Sequence, residues 1–414
     1  MSPAATIPLL RQPLDPDVVE RFAVERKEPD WLRASRQAAA SRAADWPTGQ
    51  EEEWRRFPPK DIPASALIGA RASATYGPAP GSGFAGGLDA AVRERPELVR
   101  RWVDAGGAVS THTAFTAVAD ALWSAGSFVH VPRGARSERP VVIERRWAAG
   151  GEACLSRTIV VAEEGSTVTV VEDTTSDPGE ARVVIPHLEV HLGQGAEVRY
   201  VHLQRLAPDA WDLGAQWYGS SSDSRLASFN VLVGSGRTKL GVTSDILGNG
   251  AEVKLYGLVA AGDQQRIDVN SLQRLDGRAS QSDLLYLSAL YDSAKATYYG
   301  VVRVEPTSSR TGSYQECRNL LLSDKAGANP IPVLEILTND VARCGHGATA
   351  GRIDEEEIFY VLSRGVDRKT AEQLLVRGSF ARVIDRIPDQ AIRSRVLEAL
   401  VPRIGQVAEL ETAA

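Results

Sequence analysis

Between residues 126 and 344 one short unit keeps returning: a glycine, a small or polar residue, then a run of β-formers. Gly165-Ser-Thr-Val-Thr-Val-Val resembles Gly195-Ala-Glu-Val-Arg-Tyr-Val and Gly250-Ala-Glu-Val-Lys-Leu-Tyr, with weaker echoes at Ser293-Ala-Lys-Ala-Thr-Tyr and Asp340-Val-Ala-Arg. Further runs such as SFVHVP, TIVVAEE, HLEVHL and TYYGVVRV alternate apolar with polar residues and are bounded by Gly, Asp, Asn or Ser, as strands are. The spacing is 30 residues from Gly165 to Gly195 and 55 to Gly250, so a strict short repeat is absent. A turn-then-strand unit repeated without intervening helices predicts a parallel β-helix, in which each coil buries its inward side chains on its neighbours. A pair of β-sandwiches built from antiparallel hairpins is the competing architecture.

The ends read differently. Residues 1–105 are helical and loop-rich: EPDWLRASRQAAASRAADW (28–46) favours helix, EEEWRRFPP follows at 51–59, and YGPAPGSGFAGG (76–87) reads as a loop or linker. The last holds a literal GxGxxG at Gly81, Gly83 and Gly86, but a Pro-rich loop precedes it where the dinucleotide fingerprint needs a strand. From 353 to about 410 helix returns. Asp354 is placed to cap a helix with Glu357 at N3, Gly365 to stop it, Asp367 to open a second, and Pro388 to start a third. Such helices either cover the open end of the solenoid or present a partner-binding surface. The expected plan is therefore an N-terminal region (1–105), a β-helix core (106–350) and a C-terminal helical region (351–414).

Charge and cysteine usage narrow the function. With 47 basic and 53 acidic residues the net charge is -6, which argues against a phosphate-neutralising nucleic-acid binder. No apolar stretch approaches the roughly 20 residues of a membrane span, and the first residues lack a basic leader with an apolar core, so a cytoplasmic location is expected. Three cysteines, Cys154, Cys317 and Cys344, form no CxxC pair and read as free thiols.

Little of the chain looks catalytic. There is no GxxxxGK[ST] phosphate loop, and GSGRTK (234–239) has the wrong order, so no nucleotide of its own is expected. In HLEVH, residues His187, Glu189 and His191 share one face of a strand, the pattern of a facial metal site, which would suit a β-helix metal-dependent enzyme. Near the end of the β-rich region, Cys344 and His346 stand two apart between Gly345 and Gly347. A thiolate and an imidazole together suit iron in sulfide clusters; ordinary packing is the bland alternative.

The runs NLLLSDKAGANPIPVLEI (319–336) and CGHGATAGRIDEEEIFYVLSRG (344–365) resemble the C-terminal half of the SufB/SufD family, scaffold components of the cytosolic machinery that assembles iron–sulfur clusters. EPDWLRASRQAA, EEEWRRF and ALWSAGSFVHVPRG (121–134) extend the resemblance over nearly the whole chain. CGHGATAGR points to the SufD branch. The resemblance implies a right-handed parallel β-helix between helical regions, a SufB-type heterodimer partner, and a SufC-type ABC ATPase docked through 354–387. It also implies a non-enzymatic scaffold role, with the iron–sulfur cluster transient or shared with the partner. His346 occupies the motif position that supports cluster assembly near the subunit interface. Cys317, in Tyr314-Gln-Glu-Cys317, falls where SufB-type sequences carry an assembly cysteine, which leaves a SufB-like homodimeric paralogue as an alternative. Cys344 joins His346 and Cys317 as a candidate ligand, and Cys154 reads as structural. Histidines that many SufD sequences place before the DLLY-like strand are absent from DVNSLQRLDGRASQSDLLY.

Overall fold

The repeated glycine turns out to mark one corner of a regular coil. The computed structural model describes residues 14–43, 46–62, 72–105, 114–148, 153–179 and 182–405. Gly165, Gly195 and Gly250 adopt φ of 66°, 63° and 68°, a left-handed conformation that glycine takes without a Cβ penalty. Asp223, Ala279 and Arg310 adopt it as well, at 58°, 54° and 54°. Corners at 165, 195, 223, 250, 279 and 310 are 30, 28, 27, 29 and 31 residues apart, so the 55-residue gap is two coils whose shared corner is Asp223. A hydrogen-bond ladder links them. The amide of each corner donates to the carbonyl just ahead of the next: Gly165 to Gln194 (2.8 Å), Gly195 to Ser222 (2.9 Å), Asp223 to Asn249 (2.8 Å), Gly250 to Arg278 (2.9 Å), Ala279 to Ser309 (2.8 Å) and Arg310 to Asp340 (2.7 Å).

Each coil gives one strand to each of two parallel sheets. The first holds β4 (Val141–Trp147), β6 (Thr167–Ser176), β8 (Glu197–Arg205), β11 (Arg225–Leu232), β13 (Glu252–Ala261), β15 (Gln281–Leu290), β17 (Thr311–Leu321) and β19 (Val341–Arg352). The second holds β3 (Ala125–Val131), β5 (Cys154–Ala162), β7 (Arg182–Leu192), β10 (Ala215–Ser220), β12 (Arg237–Ile246), β14 (Arg266–Leu275), β16 (Lys295–Val304) and β18 (Gly327–Ile336), with the short β9 (Ala210–Asp212) beside β7 and β12. The chain is a parallel β-solenoid, and the two-sandwich alternative is excluded by this pairing. Its lumen is packed with inward Val, Leu, Ile and Tyr side chains, among them Val190, Leu240, Val253, Tyr286 and Val302.

Among the described residues the solenoid is covered at its start and open at its last coil. At its start β1 (Ala72–Tyr76) pairs antiparallel with β4, and β2 (Phe84–Gly87) with β3. The stretch 76–87, expected as a loop, thus contains a strand. Gly83 is required there by contact, since a Cβ would lie 2.0 Å from the His130 carbonyl oxygen. Around this end gather α1 (Pro16–Glu25), α2 (Asp30–Arg42), α3 (Leu88–Glu94), α4 (Pro96–Ala105) and α5 (Ala114–Leu122). The last is a buried helix inside the range expected to be all β. Arg36 of α2 is buried against Glu28 (2.6 Å) and the Ala121 carbonyl (3.0 Å), its guanidinium over the Trp123 ring.

The EEEWRRF segment clips onto the second sheet. Lys239, the last residue of GSGRTK, donates to the Glu53 carbonyl (2.5 Å), Asp268 and Asn270, with its ammonium 4.5 Å from the Trp54 ring centroid. That lysine is a structural clamp for the N-terminal segment.

The C-terminal helices are α6 (Glu355–Leu362), α7 (Arg368–Ile384) and α8 (Gln390–Ile404). Asp354 and Asp367 cap the first two as expected, through the amides of Glu356 and Thr370, and Gly365 takes φ 88° between them. Asp389 rather than Pro388 caps the third. These helices do not cover the open end. Val376, Phe380, Val383, Val396 and Leu400 lie instead on the outer face of the first sheet, against Val201, Leu203, Phe229, Leu258 and Leu287. Phe380 is fully buried there, so truncating it to alanine would cost about 3–5 kcal/mol. Among the described residues, β18 and β19, last in their sheets, have one unpaired edge each.

Candidate functional site

The free end carries the thiols and imidazole singled out in the sequence. β19 lies parallel on β17, with Ser313 opposite Cys344, Gln315 opposite His346 and Cys317 opposite Ala348. Cys317 and Cys344 both pack against the lumen core. Alternation along the strand therefore turns Cys344, His346, Ala348 and Ala350 toward the lumen, and Gly345 and Gly347 outward. Of the two outward glycines, Gly347 lies tight against the Tyr314 side chain. A Cβ on Gly345 would meet the Tyr314 ring at 3.5 Å, and one on Gly347 its hydroxyl at 3.0 Å. Gly347 thus accommodates the Tyr314 hydroxyl, whereas a side chain at Gly345 would make only an ordinary contact with the ring.

All three candidates share the lumen face of the last two coils, at different depths. His346 is exposed at the mouth, Cys344 is half-buried, and Cys317 lies one coil deeper, 2% exposed. Cys317 and Cys344 are offset by four residues along the strand direction, about 13 Å, so both do not reach one mononuclear centre in this conformation. His346 stands between them, two residues from each position. Both thiols favour their neutral form. Burial pushes Cys317 up to about 12, against a weak opposing contact from the Asn319 amide (3.5 Å), and burial also raises Cys344. A thiol ligates or attacks as thiolate, and burial disfavours that form at both positions.

The HLEVH strand is occupied otherwise. His187, Glu189 and His191 do share an outward face of β7, and Asp120 of α5 joins them; ligand atoms of Asp120, His187 and Glu189 lie within 4.8 Å of one another. The cation at the centre is Arg157. Its Nε stands 2.8 Å from Glu189 Oε1 and 3.4 Å from Asp120 Oδ1, while His187 Nδ1 pairs with Asp120 at 2.7 Å. Burial pushes the Glu189 carboxyl up, but Arg157 outweighs it and holds the group far below the usual range. His191 sits between the Trp102 and Trp217 rings at 4.8 and 5.0 Å. The cluster ties α5 to the solenoid.

A comparison with protein-family models matches residues 145–379 to the SUF system FeS cluster assembly SufBD core domain, a span that includes every coil from β6 onward and the last-coil cluster. The chain belongs to the SufBD family. It is 27% identical over 317 residues to the iron–sulfur cluster assembly protein SufD of Bacillus subtilis, covering 76% of this chain and 72% of that one. It is 27% identical over 371 residues to a SufBD family protein of Mycobacterium bovis, covering 86% and 89%. A chloroplastic SufBD family protein of Arabidopsis thaliana is 25% identical over 326 residues, covering 73% of this chain and 56% of the relative.

The SufBD core of this chain also holds a polar file that the sequence did not disclose. Inside the lumen Arg145 pairs with Glu172, which accepts from the Tyr200 hydroxyl. His202 and Gln216 meet Asn230 at 3.2 and 2.8 Å, and Asn230 donates to Tyr286 at 3.2 Å, the tyrosine opposite Cys317. Burial pushes Glu172 up, yet Arg145 and Tyr200 together hold it below its ordinary range; burial lowers His202, keeping it neutral. In the sequence these residues look like solvent-facing alternates, because strand alternation names two faces without saying which one is enclosed.

Proposed function

We propose that this chain is a SufD-type, non-enzymatic scaffold subunit that takes part in iron–sulfur cluster assembly through its uncapped end. The observation that carries the reading is the last coil: free edges of β18 and β19 surround a mouth lined by Cys344, His346, Ala348 and Ala350. An unpaired strand edge is a template for another strand. A second solenoid subunit, SufB-type in a heterodimer, fits there, with the cluster as cargo shared across the contact. His346 serves as a ligand or sulfur-transfer group, and Cys344 and Cys317 act once a thiolate is formed. Cys317, at the position of the SufB-type assembly cysteine, carries the homodimeric, SufB-like alternative.

The flank 354–387 is the seat for a SufC-type ATPase. Phe359 and Tyr360 on α6 are 72% and 61% exposed, large apolar surface beside the solenoid wall. Nucleotide hydrolysis belongs to that partner. The three regions 1–105, 106–350 and 351–414 then correspond to end cap, scaffold and ATPase seat. Among the described residues no helix is long and apolar enough to cross a membrane, and a cytoplasmic location accords with the proposal.

Co-purification with SufB- and SufC-type partners tests the placement. Ala350→Arg, a charge at the mouth, is expected to release the second solenoid subunit while the ATPase stays bound. Retention of both would overturn the assignment of the free end.

A further inference from the structure

His346 has a specific neighbour beneath it. Gln315 lies directly opposite His346 in the β17–β19 register, and both side chains face the lumen. Neighbouring strands are about 4.8 Å apart, so the two side chains are within reach of each other. Gln315 is 1% exposed, and its Nε2 donates to Gln273 Oε1 (3.1 Å), whose own Nε2 donates to Ser282 Oγ (2.7 Å). This column fixes the amide. It leaves Gln315 Oε1 as a buried acceptor without a hydrogen-bond partner among the described residues. His346, exposed at the mouth, makes no hydrogen bond among the described residues.

A buried carbonyl oxygen without a donor is unfavourable, and a ligating histidine nearly always donates its other ring N–H to a carbonyl or carboxylate. The column offers the acceptor and the mouth offers the donor. We propose that Gln315 is the positioning residue of His346: its Oε1 accepts one imidazole N–H, fixes a single neutral tautomer, and aims the other ring nitrogen out of the mouth toward the cargo. Gln315 touches no cargo itself; Gln273 and Ser282 hold it in turn. This rests on the reading of His346 as a ligand, yet it is tested without any cluster.

The experiment is nitrogen-15 NMR of the six histidines in the full chain alone, near pH 8, with His346 assigned by its loss in His346→Ala. The wild type is expected to show His346 as one tautomer, with one pyrrole-like and one pyridine-like nitrogen. Gln315→Leu is expected to give averaged nitrogens, and Gln315→Glu, which keeps an acceptor, to restore the single tautomer. The buried His187 and His202 report whether the solenoid is intact. A single tautomer in Gln315→Leu with His187 and His202 unmoved overturns the proposal, as does averaging in the wild type. Should Gln315→Leu disturb those reporters, Gln315→Glu decides alone: averaging there, with the reporters unmoved, counts against Gln315. Iron content of the partner complex is a separate readout. If it ignores His346 while the tautomer depends on Gln315, the functional reading fails and the positioning stands.

Discussion

Arg157 and Glu189 form an ion pair inside the protein, with Arg157 Nη2 2.7 Å from Glu189 Oε1 and neither side chain more than 4% exposed. They stand 32 residues apart in sequence and one coil apart in space. Removing one member of such a pair leaves a buried charge whose desolvation is no longer offset. Glu189→Gln is therefore expected to destabilise the chain by about 3 kcal/mol in urea unfolding, somewhat tempered by Asp120, which also faces Arg157. Cluster loading per folded molecule should not change, which separates this structural cluster from a metal centre.

Tyr314 and Gly347 are coupled across the last two strands. Gly347→Val would place a Cβ 3.0 Å from the Tyr314 hydroxyl and push that side chain aside, an overpacking cost of about 1 kcal/mol. Tyr314→Ala in the same chain should return most of that loss, and a double-mutant cycle on thermal or urea stability measures the coupling. Additive effects would show that the ring does not hold the glycines in place.

The three thiols should differ sharply in reactivity. In the native isolated chain at pH 8, a thiol reagent is expected to titrate Cys344 alone, with Cys154 and Cys317 appearing only after denaturation. Peptide mapping of the alkylated protein identifies the site. Rapid native labelling of Cys317 would contradict its burial.

Asp212 gives stability a pH dependence of its own. Burial without a cation pushes its carboxyl up to about 7, opposed weakly by the Gln204 amide at 3.1 Å. The folded chain therefore holds a proton that the unfolded chain releases near pH 4, so the contribution is full below about pH 4 and lost as pH rises toward 7. Asp212→Asn is expected to flatten this slope between pH 4 and 7 and to gain on the order of 2–4 kcal/mol relative to wild type at pH 8. Urea titrations of both proteins across that range provide the check.

The solenoid was legible because glycine marks three of its left-handed corners. Its period was not, because Asp223, Ala279 and Arg310 take the same conformation without glycine, sustained by the hydrogen-bond ladder between coils. Partners such as Arg157 and Glu189, or Arg145 and Glu172, become visible only once that period aligns residues roughly one coil apart. The last-coil motif was legible in composition, since Cys344, His346 and Cys317 do share a lumen face. Their depths and the 13 Å offset (about four strand residues) follow from register, which sequence alone leaves open. The side-mounted helices 355–404 could not be placed either: their apolar faces require a cover without saying which surface supplies it.

The most direct test of the scaffold reading is the iron and acid-labile sulfide carried by this chain after anaerobic co-purification with SufB- and SufC-type partners, compared between wild type and His346→Ala at equal subunit stoichiometry. At least a several-fold loss of both in the variant is the expected result. Unchanged iron and sulfide on an intact His346→Ala complex would contradict the account.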